Sequence, residues 1–304
     1  MNLDAAAMHP EIGLRWDAPG KAYFKKAAAL KERVHTGLLQ SFGQRHELFL
    51  SGNTSNGLIA VCLAAARAGL SPPGLINRPY PPYEKLLGYP GLLQADRPLQ
   101  VCTHICPLTG EVVDLRAHGD ALLIVDAAQS LGTCFQQELV ETAPVFVAPL
   151  HKHVNLVPGL GVVGVDFDAL EIEFGSSLRT VLEVMEHGAV YMGVLEECAR
   201  RLDERQDAAS LNQVRIQVGE RLTSTASQIG LRVLTPTGIQ AHIASFTTVN
   251  DAPVGDLLDA ARIGARIFKQ QNIFRISLHS DVHGVRSPED YESFVVEALT
   301  HAPR

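Results

Sequence analysis

Three stretches of the chain carry residue types that could do chemistry together. The run ALLIV (121–125) is continuously apolar, as a strand buried on both faces of a parallel sheet must be, and it delivers Asp126 at its carboxyl end in IVDAAQS. One strand–helix unit later, PVFVA (144–148) leads through LHKHV to Lys152. Open α/β sheets bind ligands beyond the carboxyl ends of their strands, so this carboxylate and this amine are expected to face one crevice. Earlier, HELFL (46–50) runs into Gly52, Asn53, Thr54, Ser55 and Asn56 just before an apolar helix. Free backbone N–H groups and hydroxyls gathered at a helix start suit an anion, a phosphate above all.

An anion cradle, an amine and a strand-end carboxylate are together what pyridoxal 5'-phosphate requires. The lysine condenses with the aldehyde, and the carboxylate keeps the pyridine nitrogen protonated so that the ring accepts electrons released at a substrate Cα. Each part alone has a plainer reading: a strand-end Asp is usually a turn former or helix cap, and a lone Lys is usually solvated.

The elements that must position these residues can be read from periodicity. A long helical pattern covers about 21–42, followed by a strand at 46–50 and a helix from Leu58 to Ala68. Further strand-like runs lie at 99–103, 121–125, 144–148 and 160–165, separated by helical or loop segments. Strand alternating with helix predicts a parallel, doubly covered sheet. From about 181 to 229 the pattern is helical; LRVL and HIASFTTV, a helical stretch at 254–268, the strand FRISL and a closing helix at 288–299 follow. The expected architecture is α/β, with a large domain over 1–205 that includes the N-terminal segment and a mainly parallel sheet, and a small α+β domain over 206–304. No Ser- or Pro-rich linker and no internal repeat interrupts it.

Composition narrows the function. The 304 residues, 46% hydrophobic and 19% charged, can bury a real core. A net charge of −7, from 33 acidic against 26 basic residues, gives no electrostatic warrant for a nucleic-acid or anionic-membrane partner. The most apolar stretch, Leu58–Leu70, is broken by Arg67, so no membrane span is expected. MNLDAAAMHP has neither the positive start nor the apolar core of an export signal, which predicts a cytoplasmic protein. Five cysteines, at 62, 102, 106, 134 and 198, are too few and irregular for a disulfide framework. CTHIC (102–106) lacks the second cysteine pair of a structural zinc site, and His279 and His283 in HSDVH follow a strand, so no metal is expected. Gly159, Gly161 and Gly164 spell G-x-G-x-x-G but lead into the strand-like VVGVDF; the dinucleotide motif opens a helix, so nicotinamide binding is set aside. There is no G-x-S-x-G, hence no support for a serine hydrolase.

Taken together, these motifs resemble the class V aminotransferase group of fold-type I pyridoxal-phosphate enzymes, which includes cysteine desulfurases and isopenicillin N epimerase-like proteins. NLDAAAMHP resembles the group's opening signature, SGNTSNGL its phosphate loop, DAAQ its Asp-x-x-Gln element and LHK its His-Lys pair. The resemblance implies Thr54 and Ser55 on the cofactor phosphate with Asn53 in the same loop, Asp126 on the pyridine nitrogen, Gln129 on the phenolic oxygen, His151 near the phosphate and Lys152 as the covalent lysine. It further implies Tyr80 over the ring, with Tyr83 as the alternative, Arg275 in FRISL on the substrate carboxylate, and His104 beside the substrate. Gly159 and Gly161 follow Lys152 at the epimerase-like spacing.

Some positions depart from the group. Pro149 stands where desulfurase-like members carry a phosphate-binding serine, and Pro107 where they carry a polar residue near the substrate. No cysteine follows residue 198, so the mobile thiol of a desulfurase is absent from the segment joining HIASFTTV to FRISL. The expected function is therefore a specialised amino-acid lyase (β/γ-elimination or cyclisation) or an aminotransferase. The alternatives are an epimerase of the same group, or a binding or regulatory protein that kept the fold and lost turnover. A homodimer is implied by the same resemblance.

Overall fold

The computed structural model describes residues 21–42, 45–77, 85–87, 99–118, 121–154, 156–187, 192–204, 226, 231–234, 243–248, 266–268 and 271–277. The chain divides into two compact units: His9–His104 with Val113–Gln206, and Ile105–Val112 with Met1–Met8 and Asp207–Arg304.

The first unit is built on a six-stranded sheet. Its elements are α1 (Lys21–Phe42), β1 (Glu47–Ser51), α2 (Thr54–Arg67), β2 (Gly74–Leu75), β3 (Leu99–Thr103), β4 (Leu122–Asp126), α3 (Gln136–Thr142), β5 (Val145–Pro149), β6 (Gly161–Val165), α4 (Ile172–His187) and α5 (Met192–Glu204). The strand order is β1-β6-β5-β4-β3-β2. β2, β3, β4 and β5 pair in parallel, and β6 lies antiparallel between β5 and β1. The sheet is thus parallel except for β6, in line with the mainly parallel sheet expected. β6 runs antiparallel because its connection is short: the described residues of 150–160 form no helix, and a parallel return needs a crossover of a dozen residues or more. Gly159, at φ 82°, lies in the turn just before β6.

Alternation along the strands sorts the core into two layers. Leu48, Leu50, Leu123, Val125, Phe146, Ala148 and Val162 join Val34, Leu38 and Phe42 of α1 and Leu195, Cys198 and Ala199 of α5. Their neighbours Phe49, Ile124, Val145, Val147, Val163 and Val165 face α2 and α4 through Leu58, Val61, Ala65, Phe174, Leu178 and Leu182. Both sheet faces are covered, which is why these strands read as unbroken apolar runs. α1 presents Val34, Leu38 and Phe42 at steps of four, one helical face. Among the described residues no helix is long and apolar enough to cross a membrane.

The second unit contains the antiparallel sheet β7-β8-β10-β9, from Leu231–Val233, Ile243–Thr248, Ile273–Ser277 and Arg266–Phe268 respectively. Here the reading of 254–268 as helical is corrected at its end, because Arg266–Phe268 hydrogen-bonds beside β10 as a strand. Tertiary pairing overrides the helical pattern of ARIF, which had no partner in view along the chain. Phe246 and Phe274 stack with centroids 5.2 Å apart at the centre of this sheet.

Candidate active site

Strand register assembles the first unit's site. Ser51 of β1, Gly161 of β6 and Pro149 of β5 are partners in one row across the sheet, at the carboxyl ends of β1 and β5. Asp126 ends β4 opposite Val147, two residues short of that row, or about 7 Å along the strand direction. Thr103, the last residue of β3, pairs with Asp126. Everything that follows these residues leaves from the same edge of the sheet: the 52–56 loop, His104, the 127–133 turn and the segment His151–Val154.

The 52–56 loop enters α2 through an N-cap. Asn53, with extended backbone, accepts the N–H of Asn56 on its side-chain oxygen at 2.9 Å, and its carbonyl accepts Gly57 N–H at 3.2 Å. Among the described residues this leaves the N–H groups of Thr54 and Ser55, with two hydroxyls, at the positive end of a 14-residue helix. The loop is seated closely: a Cβ on Gly161 would lie 2.7 Å from Ser51 Oγ and 3.0 Å from the carbonyl carbon of Asn53.

Asp126 is 4% exposed. Its Oδ1 accepts the N–H of Ala128 at 2.9 Å, an Asx-type turn that fixes the carboxylate, and its carbonyl accepts His104 N–H at 3.2 Å. Gln129, three residues on, is buried and takes a 2.7 Å hydrogen bond on its Oε1 from the ring Nε2 of buried His153. His151 and Lys152 are half-buried on the segment after β5.

His104 is completely buried and packs edge-to-face on Phe135 at 5.8 Å. Neither ring nitrogen makes a hydrogen bond, and the nearest carboxylate oxygen, Glu138 Oε2, is 3.8 Å away. Burial pushes its pKa down to about 4, so the ring is neutral at physiological pH.

Asn53, Thr54, Ser55, His104, Asp126, Gln129, His151 and Lys152 thus follow the carboxyl ends of neighbouring strands in one unit. Arg275 belongs to the other. There it is 7% exposed on β10, and its Nη1 donates to the carbonyl of Pro107 at 2.9 Å. The 105–112 segment packs tightly on β8, since a Cβ on Gly110 (φ 75°) would lie 2.7 Å from the carbonyl oxygen of Ile243. Tyr80 and Tyr83 lie outside the described residues, as do the NLDAAAMHP signature and His279 and His283. Sequence reasoning missed His153; its only signal was a second histidine directly after the lysine, where an apolar residue would have packed as well.

Comparison with known proteins agrees with this architecture. The pyridoxamine-pyruvate aminotransferase of Mesorhizobium loti superposes with a TM-score of 0.68 at 18% identity, over 99% of this chain and 91% of that one. The cystine C-S lyase C-DES gives a TM-score of 0.66 at 17% identity over 94% and 90%. The cysteine desulfurase of Thermococcus onnurineus NA1 gives 0.65 at 19% over 91% and 85%. At these identities the likeness establishes the fold, that of the fold-type I pyridoxal-phosphate transferases. None of the curated proteins matches the chain in sequence. A family model spans it nearly end to end, over residues 3–301, and by that match the chain belongs to the Family of unknown function (DUF6024).

Proposed function

We propose that this chain is a pyridoxal-phosphate-dependent enzyme acting at the Cα of a small amino-acid substrate, as a specialised lyase (elimination or cyclisation) or as an aminotransferase. The observation that carries the proposal is the register row Ser51–Gly161–Pro149 with Asp126 at the end of the adjoining strand, which joins a capped helix start, a fixed carboxylate and a lysine at one sheet edge. The donor set fits the cofactor: first-turn N–H groups and hydroxyls for a dianion, a buried carboxylate for a ring N–H, and an amine for an aldehyde.

When bound, the cofactor supplies the aldehyde and a ring that withdraws electrons from Cα. Thr54 and Ser55 would hold its phosphate, with Asn53 shaping the loop and His151 beside it. Asp126, already oriented by Ala128 N–H, would hold the proton on the ring nitrogen. Gln129 would meet the phenolic oxygen, and Tyr80 the ring face. Lys152 would hold the cofactor through its aldehyde and would serve as the base at Cα. Arg275 is proposed for the substrate carboxylate, which its planar fork matches, and His104 for the substrate side. Sulfur transfer through a mobile protein thiolate is disfavoured, because no cysteine follows residue 198; burial also raises the pKa of Cys62 to about 11 and those of Cys102 and Cys198 to about 12. A cytoplasmic homodimer with no nucleic-acid partner belongs to the same proposal; exposed Ile59 and Leu63, one turn apart on α2, are compatible with an interface.

Purified protein mixed with pyridoxal 5'-phosphate should turn yellow, borohydride should fix the cofactor on the Lys152 peptide by mass spectrometry, and Lys152→Ala should do neither. A wild-type protein that stays colourless refutes the proposal. A second reading, a cofactor-fold protein without turnover, is favoured by the Arg275–Pro107 hydrogen bond, which engages one arm of the fork with the chain itself. An epimerase remains the alternative within the group. Screening single amino acids for a spectral change separates enzyme from binding protein, and product analysis assigns the reaction.

A further inference from the structure

We infer that His153 is a positioning residue: it carries its ring proton on Nε2 and thereby turns Gln129 so that only the amide NH2 is left to face a ligand. This rests on the cofactor reading above. Gln129 and His153 are 3% and 2% exposed, and Gln129 Oε1 lies 2.7 Å from His153 Nε2. An amide oxygen only accepts, so the imidazole must donate from Nε2, and the other end of the amide is a pure donor. The opposite tautomer would reverse the amide and present an acceptor instead. In the first case Gln129 stabilises negative charge on a neighbouring oxygen; in the second it repels it.

The backbone brings the two segments together. The 127–133 turn is pressed against the segment after Lys152 at Gly132, whose φ is 80° and whose Cβ, were there one, would lie 2.7 Å from Val154 N and 2.8 Å from His153 C. Only glycine allows that approach. His153 is therefore held against the Asp126–Gln129 turn by the same segment that carries Lys152, and the amide's orientation is set before any ligand arrives.

Two measurements test the inference. Nitrogen-15 NMR of histidine-labelled protein without cofactor should find the His153 proton on Nε2; a proton on Nδ1 alone overturns the inference. With pyridoxal 5'-phosphate bound, the pH midpoint of the visible band should rise by about one pH unit in His153→Leu, because a donor at the phenolic oxygen favours the state in which that oxygen bears more charge. Gln129→Leu should shift it equally, and the double variant no further, since both changes remove one coupled unit. His153→Gln, whose terminal amide reaches the same point as a donor, should restore the wild-type midpoint. A coloured His153→Leu protein with an unmoved midpoint, or shifts that add, overturns the inference and leaves the cofactor reading intact. A wild type that takes up no cofactor overturns both.

Discussion

Substituting one buried methyl for a hydrogen at Gly57 tests how α2, and with it the proposed phosphate cradle, is seated. Gly57 lies one turn into α2 on the sheet side. A Cβ there would stand 2.8 Å from Val163 Cγ2 and 3.2 Å from Val147 Cγ1, where ordinary contact begins near 3.4 Å. Val163 and Val147 are at most 1% exposed and sit in the paired strands β6 and β5, so neither has room to retreat. The helix must lift by roughly 0.6 Å, and overpacking of this kind costs about 2–3 kcal/mol, from which alanine's better helix propensity removes about 1 kcal/mol. Gly57→Ala should therefore lose about 1–2 kcal/mol of stability. Gly175 in α4 is the control: its added Cβ meets Leu170 and Phe167 at 3.6 and 3.7 Å, ordinary contact, so Gly175→Ala should gain roughly 0.5–1 kcal/mol from the same chemical change. Urea unfolding followed by circular dichroism, with midpoint and slope both fitted, gives the two values. The same lift displaces the Thr54 and Ser55 N–H groups, so uptake of pyridoxal 5'-phosphate should weaken in Gly57→Ala and stay unchanged in Gly175→Ala. Equal stabilisation of the two variants would refute the packing account.

Further expectations concern titration and thiols. His104 is neutral when folded down to about pH 4 but binds a proton in the unfolded chain below about 6.5, so the unfolded state takes up more protons in that window. Stability should be full above pH 6.5 and fall by about 3 kcal/mol towards pH 4 from this group, with buried His46, also lowered, acting in the same direction. His104→Leu should flatten the slope of unfolding free energy against pH, and an unchanged slope would refute the assignment. The thiols of Cys102 and Cys198, both completely buried, should react with a disulfide reagent only on unfolding, as peptide mapping would detect; rapid labelling of either in native protein would contradict their placement.

Much of the first unit was legible because its information is local. A strand covered on both faces must be apolar throughout, so LQVCT and ALLIV could be found to within a residue, and Asp126 stood out as the first charge after the run. The helix read from Leu58 in fact starts at Thr54 behind its N-cap Asn53, because its polar first turn carries no apolar period. β2, only two residues long, left no trace in the pattern. The strand Arg266–Phe268 was hidden under a helical period, since a three-residue edge is decided by its partner β10.

The sequence by itself determined which side chains could take part: the amine, the carboxylate, the anion-binding helix start and the guanidinium are fixed by residue type, and their positions at strand ends by hydrophobic runs. Only the tertiary structure decided direction and company. It turned β6 antiparallel because eleven residues cannot carry a helical crossover, grouped residues 105–112 with the C-terminal unit so that Pro107 meets Arg275, and brought His153 onto Gln129 through the close approach at Gly132. Those contacts join residues far apart along the chain or across a turn, and the free energy that selects them comes from packing and hydrogen bonding in three dimensions, which no local period encodes.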